Sequence, residues 1–315
     1  MSDESPINDG ICLYLAEPRG FCAGVRRATG LVEETLATYG APVYVRHEIV
    51  HNKHVIADLE KKGAVFIEEL DQASPDRPLV FSAHGVSRTV AEEAGSLGFN
   101  IIDATCPLVA KVHQQVRKYS QSGAEIIVIG KKRHPEVVGT VGQAENPQRV
   151  HVICTPEEAA SLNLPENIPA AVVTQTTLST DDTAEILDIL HRRFPQLKGM
   201  PKGDICYATT NRQKAVRELA ALCGTVIILG SKNSSNSKQL KETALKYGAK
   251  EAFLIDDASE LDWDKIGAGQ RIGISAGASA PEYLVEELIG CFRKRYNKIN
   301  IHHVIVHKEN VNFKM

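Results

Sequence analysis

The chain is short of several features that would announce a partner or an address. Lys and Arg total 36 against 39 Asp and Glu, a formal charge of −3, and no long block carries one sign. Proteins that grip nucleic acid or an anionic membrane leave a basic patch, so neither partner is expected. No apolar run approaches the roughly 18 residues of a membrane span. The opening "MSDESPINDG" is polar and acidic, unlike a secretory signal, so the expected location is the cytoplasm. Seven cysteines are present, yet none forms a C-x-x-C pair. In a reducing compartment an odd, widely spaced set does not make a disulfide framework, which leaves buried, catalytic or metal-bound thiols. A Walker-type G-x-x-x-x-G-K-S/T loop is missing too, so any phosphorylated ligand must be held by other means.

With 315 residues and 43% hydrophobic content, the chain can bury about three quarters of its unfolded surface, in about two or three domains. Short β-branched runs alternate with helix-like segments, the pattern of an α/β protein with mainly parallel strands. The predicted strands are "ICLYLA", "PVYV", "AVFI", "LVFSA", "EIIVIG", "VHVIC", "AAVVT", "TVIILG", "EAFLI" and "RIGIS".

These segments repeat. Cys22, Cys106 and Cys206 each open a helix-like stretch that stops at Gly40, Gly123 and Gly224, at spacings of 18, 17 and 18. A strand and a polar loop follow each glycine: "RHEIVHN", "KKRHPEV" and "SKNSSNS". His51 lies 29 residues beyond its cysteine, His134 and Glu136 lie 28 and 30 beyond theirs, and Ser234, Ser235 and Asn236 lie 28, 29 and 30 beyond theirs. A strand with an acidic turn comes next, and then one entering a polar turn ("FSAHGVS", "VVTQTTLS", "GISAGASAP"). The expected fold is α/β, with three related modules of mainly parallel sheet in a pseudo-threefold trefoil. Residues 1–10 read as a mobile extension, and 11–23 as a strand and first cysteine loop packing with module 3. Module 1 is 24–105, module 2 is 106–203, module 3 is 204–291, and 292–315 is a C-terminal tail.

Ligands of open parallel sheets bind beyond the carboxyl ends of the strands, where helix N-termini present their amides. All the polar loops above leave strands at that end. Packed around a threefold axis, the modules would bring one cysteine from each to the centre, and converging thiolates make a metal site. Structural zinc usually draws its cysteines in close pairs, and nothing here is paired that way. A cubane iron-sulfur cluster is wider and accepts cysteines from separate elements; three instead of four would leave one iron open. Coincidental burial at strand ends is the competing reading of the trio. Cys12, Cys154, Cys223 and Cys291 lie in apolar strand-like or helical runs and are expected to be buried small hydrophobes.

Taken together, "RGFCAGV", "RHEIVHN", "FSAHGVS", "DATCPLV", "HPEVVGT", "TQTTLS", "DICYATTNRQ", "GSKNSSNS" and "SAGASAP" resemble the LytB family of 4-hydroxy-3-methylbut-2-enyl diphosphate reductases, over residues 11–291. The resemblance implies a three-module α/β trefoil around a 4Fe-4S cluster held by Cys22, Cys106 and Cys206 with one open iron. It implies that His51, His84, His134, Ser234, Ser235, Asn236 and Ser279 contact the diphosphate, and that Glu136 and Thr176 stand near the substrate hydroxyl. The implied reaction is the last step of the methylerythritol phosphate route to isoprenoids. A flavodoxin- or ferredoxin-type protein is the implied electron donor, and the chain is expected to be a monomer or weak homodimer.

The chemistry can be argued from the residues as well. Removing an allylic hydroxyl reductively needs electrons, help for the leaving oxygen, a proton and a grip on the diphosphate; an open iron suits the first two. Glu136 is the proton donor of choice, since an enclosed apolar pocket would favour its protonated form. The other reading is a first-turn helix carboxylate. Thr176 would hold or relay that proton, or simply cap a turn. "SKNSSNS" offers an anion site or an N-cap, and "SAPE" at Ser279 has the form of a capping box. Two rivals remain at this level: an iron-sulfur hydro-lyase and a non-catalytic zinc-stabilised scaffold. The tail would cover a sheet edge, pair with another chain or meet an acidic electron donor.

Overall fold

The computed structural model describes residues 10–165, 167–199 and 203–314, so the expected mobile extension lies, apart from Gly10, outside the described residues. In chain order the first elements are β1 (Gly10–Glu17), α1 (Ala23–Tyr39), β2 (Val43–Arg46), α2 (Lys53–Lys61), β3 (Ala64–Ile67), β4 (Leu79–Phe81), α3 (Arg88–Ser96) and β5 (Ile101–Asp103). Next come α4 (Pro107–Gln121), β6 (Glu125–Ile129), α5 (Pro135–Val141), β7 (Val150–Ile153), α6 (Pro156–Ser161), β8 (Ala170–Thr174), α7 (Thr180–Arg193) and β9 (Lys198–Gly199). The last are α8 (Tyr207–Leu222), β10 (Thr225–Leu229), α9 (Ser235–Lys246), β11 (Glu251–Ile255), β12 (Arg271–Ala276), α10 (Glu282–Arg295) and β13 (Lys298–Ile305). Among the described residues no helix is long and apolar enough to cross a membrane.

The chain divides into two compact units. The described residues of the terminal unit are 10–22, 51–55 and 207–312; the central unit holds the others. The central unit contains two sheets, ordered β3-β2-β4-β5 and β7-β6-β8-β9, and the terminal unit one, ordered β11-β10-β12-β1-β13. Among the described residues every strand pairing is parallel. The α/β class with parallel sheets is therefore as expected, and the repeat is visible in the strand order itself. Each sheet runs second strand, first, third, fourth, with β1 taking fourth place in the terminal unit and β13 added outside it.

Sequence explains why the middle strands sit where they do. "EIIVI" and "TVIIL" are buried along their whole length, as strands covered on both faces must be. Ile127 and Ile129 pack in one core with Ile186, Leu187 and Leu190 of α7, while Ile126 and Val128 pack in another with Val112 and Val116 of α4. In the terminal unit Ile227 and Leu229 join Leu284, Val285 and Leu288 of α10, and Val226 and Ile228 join Val216 and Leu219 of α8. Each such buried aliphatic contributes roughly 1.5–3 kcal/mol. All ten predicted strands form. Among the described strands β5 and β9, of three and two residues, were not predicted, and the tail, expected to cover a sheet edge, supplies β13 at one edge of the terminal sheet. Of the thiols expected to be buried, only Cys223 is; Cys12, Cys154 and Cys291 are half-buried. Burial pushes the Cys223 thiol up to about 12 and also raises that of Cys154.

Candidate functional site

The repeat places the three cysteines alike. Each follows the fourth strand of its sheet (β1, β5 or β9) and stands immediately before a helix (α1, α4 or α8). Each donates its main-chain N–H to the carbonyl two residues beyond the third strand: Cys22 to Ala278 at 3.2 Å, Cys106 to Ala83 at 3.0 Å and Cys206 to Thr176 at 3.1 Å. All three are half-buried, and none of the seven cysteines is in a disulfide. Cys106 is the N-cap of α4, with Pro107 in the first turn, yet makes no side-chain capping bond. Proline costs no helical hydrogen bond there. The terminal unit contributes Cys22 and the central unit Cys106 and Cys206. Among the described residues no group of three or more His, Cys, Asp or Glu side chains is gathered as a metal site. A thiol donor set of this kind suits iron-sulfur or zinc.

In the central unit the polar turn after β6 carries His134 and Glu136. His134 is the N-cap of α5, and its Nδ1 accepts the Glu136 main-chain N–H at 3.2 Å. With Nδ1 accepting, Nε2 is the ring nitrogen that can donate. The His84 ring meets the His134 ring edge-on, with centroids 5.5 Å apart, and Ser82 Oγ lies 3.5 Å from His84 Nδ1. Glu136 lies in the first turn of α5, only 3% exposed. Its Oε1 accepts the Thr176 main-chain N–H at 2.6 Å, so the two expected partners meet through the backbone rather than the threonine hydroxyl. Because the Thr176 carbonyl holds the Cys206 N–H, one residue ties the carboxylate to a cysteine loop.

The terminal unit carries His51, Ser234, Ser235, Asn236 and Ser279. Ser234 caps α9, its Oγ accepting the Ser237 N–H at 3.3 Å. The backbone here is packed closely: a Cβ on Gly277 would lie 2.1 Å from Ser237 Oγ, so only glycine fits. Asn236 is 4% exposed, and neither Nδ2 nor Oδ1 has a hydrogen-bond partner among the described residues. A buried amide left unsatisfied costs about 1–3 kcal/mol, which a polar ligand would recover. Ser279 does not cap α10, contrary to the capping-box reading. The N-cap is Pro281, and the Ser279 hydroxyl donates to the His51 carbonyl at 2.9 Å, fixing the histidine loop. The same loop is held at Lys53, whose N–H donates to Ser231 Oγ at 3.1 Å while Ser231 donates to Asp256 Oδ1 at 2.5 Å.

Several supporting residues escaped sequence reasoning. Asp204, two residues before Cys206, accepts from Gln115 Nε2 at 3.0 Å and from the Thr174 N–H at 3.1 Å. Burial raises its pKa, with those two bonds opposing. Gln175 accepts the Lys131 N–H at 3.1 Å and donates to Thr177 Oγ1 at 3.1 Å. Fully buried Arg212 holds the Gly20 carbonyl. Their only signal was membership of the polar blocks quoted above. A hollow of about 650 Å³ lined by Arg88, His113 and Arg117 holds none of the expected site residues.

A family profile described as LytB protein matches residues 13–293. A 4-hydroxy-3-methylbut-2-enyl diphosphate reductase of Aeromonas hydrophila is 50% identical over 292 residues, 92% of this chain and 94% of the relative. The protein of the same name from Methylococcus capsulatus is 51% identical over 280 residues, 88% of each chain. The solved structure of the E-1-hydroxy-2-methyl-but-2-enyl-4-diphosphate reductase from Plasmodium falciparum matches with a TM-score of 0.90 at 38% identity, covering 96% of this chain and 95% of that one. On this agreement of sequence and overall structure, the chain belongs to the LytB protein family.

Proposed function

We propose that this protein reduces (E)-4-hydroxy-3-methylbut-2-enyl diphosphate to isopentenyl and dimethylallyl diphosphate, closing the methylerythritol phosphate route in the cytoplasm. The observation that carries this reading is family membership combined with three cysteines in equivalent, identically anchored loops. Cys22, Cys106 and Cys206 would hold a 4Fe-4S cluster. When bound, that cluster supplies an open iron for the leaving oxygen and passes electrons singly from a flavodoxin- or ferredoxin-type donor.

The chain's own residues bind, orient and protonate. His134 offers Nε2–H, and His51, His84, Ser234, Ser235, Ser279 and the buried amide of Asn236 are the further donor-bearing groups for the diphosphate. The first-turn amides of α9 add to them. Glu136 is held by the Thr176 N–H at Oε1, and its carboxyl is the group that carries the proton. In the balanced reaction the allylic C–O bond breaks, two electrons and two protons enter, one proton leaves with the hydroxyl as water and the other forms a C–H bond. Protonation at either end of the allyl system accounts for both products.

The test is anaerobic turnover of the reconstituted protein with the hydroxylated diphosphate. Product forms only when a low-potential reductant is supplied. Product without reductant would replace the reductase by a hydro-lyase.

A further inference from the structure

Residues 306–314 follow β13 without regular structure and lie beyond the stretch matched by the family profile. Their contacts nonetheless lead to two cysteine loops. In the terminal unit β13 pairs with β1 along its whole length, and the Val306 N–H donates to the Glu17 carbonyl at 2.9 Å. Glu309 then accepts from Arg212 Nη1 at 3.0 and 3.3 Å and from Asn211 Nδ2 at 3.1 Å. Arg212 is 0% exposed and donates to the Gly20 carbonyl from Nε at 3.0 Å and Nη2 at 2.7 Å, and from Nη1 to the Ala208 carbonyl at 3.1 Å. Gly20 stands two residues before Cys22. In the central unit the Lys314 carbonyl accepts from Arg27 Nε at 2.9 Å. Arg27 also donates to the carbonyls of Thr105 at 3.2 Å and Asp103 at 3.4 Å, just ahead of Cys106. In each unit an arginine grips the backbone beside a cysteine and is itself held by the tail.

We propose that the C-terminal segment 306–314 is a positioning strap for the cluster. Glu309 orients Arg212, which fixes the loop bearing Cys22, and the Lys314 carbonyl steadies Arg27 against the loop entering Cys106. A charge-assisted bond from a guanidinium to a carboxylate is stronger than a neutral one, so Glu309 at Nη1 helps set where the remaining donors point. The strap makes no bond to substrate or metal; it sets the geometry of the groups that do. This inference rests on the reading of Cys22 and Cys106 as cluster ligands.

The test uses anaerobically prepared holoprotein as wild type, Glu309→Ala, Glu309→Gln, a chain ending at Asn312, and the core control Leu190→Ala. The readout is the decay of visible cluster absorbance after exposure to an iron chelator, at a temperature where near-ultraviolet circular dichroism shows each protein folded. Outer-shell partners change metal affinity by about 10–100-fold, so Glu309→Ala loses its cluster about tenfold faster. Glu309→Gln, which keeps an acceptor oxygen, and the shortened chain fall between. Leu190→Ala unfolds at lower temperature and keeps the wild-type decay. Wild-type decay in Glu309→Ala, or equal acceleration in Leu190→Ala, overturns the strap; should Glu309→Ala not fold, wild-type decay in the shortened chain does so. A wild-type protein without iron and sulfide overturns the cluster reading as well.

Discussion

The turn from β6 into α5 and the turn from β10 into α9 hold the same place in their modules. His134 and Ser234 are each the fifth residue after the strand, and each caps the helix that follows. Two positions further on stand Glu136 and Asn236, 3% and 4% exposed. There the likeness ends: Glu136 has its carboxylate occupied by Thr176, whereas Asn236 keeps both amide atoms without a partner among the described residues. In the remaining module this position is Lys53, half-exposed and paired with Asp256 at 3.2 Å. The repeat thus supplies a common strand, turn and helix start, and single side chains divide the labour over it. A carboxyl held in place suits proton transfer, an unsatisfied amide suits binding, and a solvated ammonium suits neither.

The comparison breaks most sharply at Glu136. Glu136→Gln keeps the shape and the Thr176 bond but cannot give up a proton, so kcat should fall by about 10²–10⁴-fold with KM little changed. Anaerobic steady-state kinetics measures this, and wild-type turnover would remove Glu136 from the mechanism. The second expected effect concerns the helices after the cysteines, where His113 of α4 and Gln213 of α8 stand seven residues beyond Cys106 and Cys206. Both are buried. Burial first and Arg117 second hold His113 at about 4 against an ordinary 6.5. As pH falls the unfolded chain takes up that proton first, so stability is complete above the unfolded value and is lost through the folded one, by about 3 kcal/mol in all. His113→Gln, which copies the other module, should flatten the loss of urea midpoint between neutral and acid pH; parallel losses in both proteins would contradict the argument.

Asn236→Ala sharpens the binding side of the comparison. With a bond to a charged ligand removed, KM should rise roughly 10–100-fold while kcat moves less; a purely catalytic defect would reverse the assignment. The smallest effect belongs to the cap. Ser234→Ala should lower the stability of the protein by about 1 kcal/mol in denaturant titrations, before any effect on substrate is counted.

Much of this was legible because the information is local. The buried strands read directly as apolar runs, and the cysteine spacing exposed the repeat before any contact was known. β5 and β9 were missed because three- and two-residue strands carry too little pattern. The Ser279 cap was misread because S-x-x-E is a local signal, while the hydroxyl answers to the His51 carbonyl 228 residues away. Glu309 and Arg212 were silent for the same reason: their pairing spans 97 residues, and nothing around Glu309 resembles a motif. Main-chain partners are hidden more deeply still. That Glu136 would meet the Thr176 N–H rather than its hydroxyl depends on backbone direction at the end of β8, which no side-chain pattern encodes.

The central claim is that Cys22, Cys106 and Cys206 jointly hold one iron-sulfur cluster. Iron and acid-labile sulfide content of anaerobically prepared protein tests it most directly, in the wild type and in serine variants of all seven cysteines. The account predicts about four of each per chain, lost on substitution of Cys22, Cys106 or Cys206 and retained on substitution of Cys12, Cys154, Cys223 or Cys291. Zinc in place of iron and sulfide, or a cluster that survives loss of any one of the three, would contradict it.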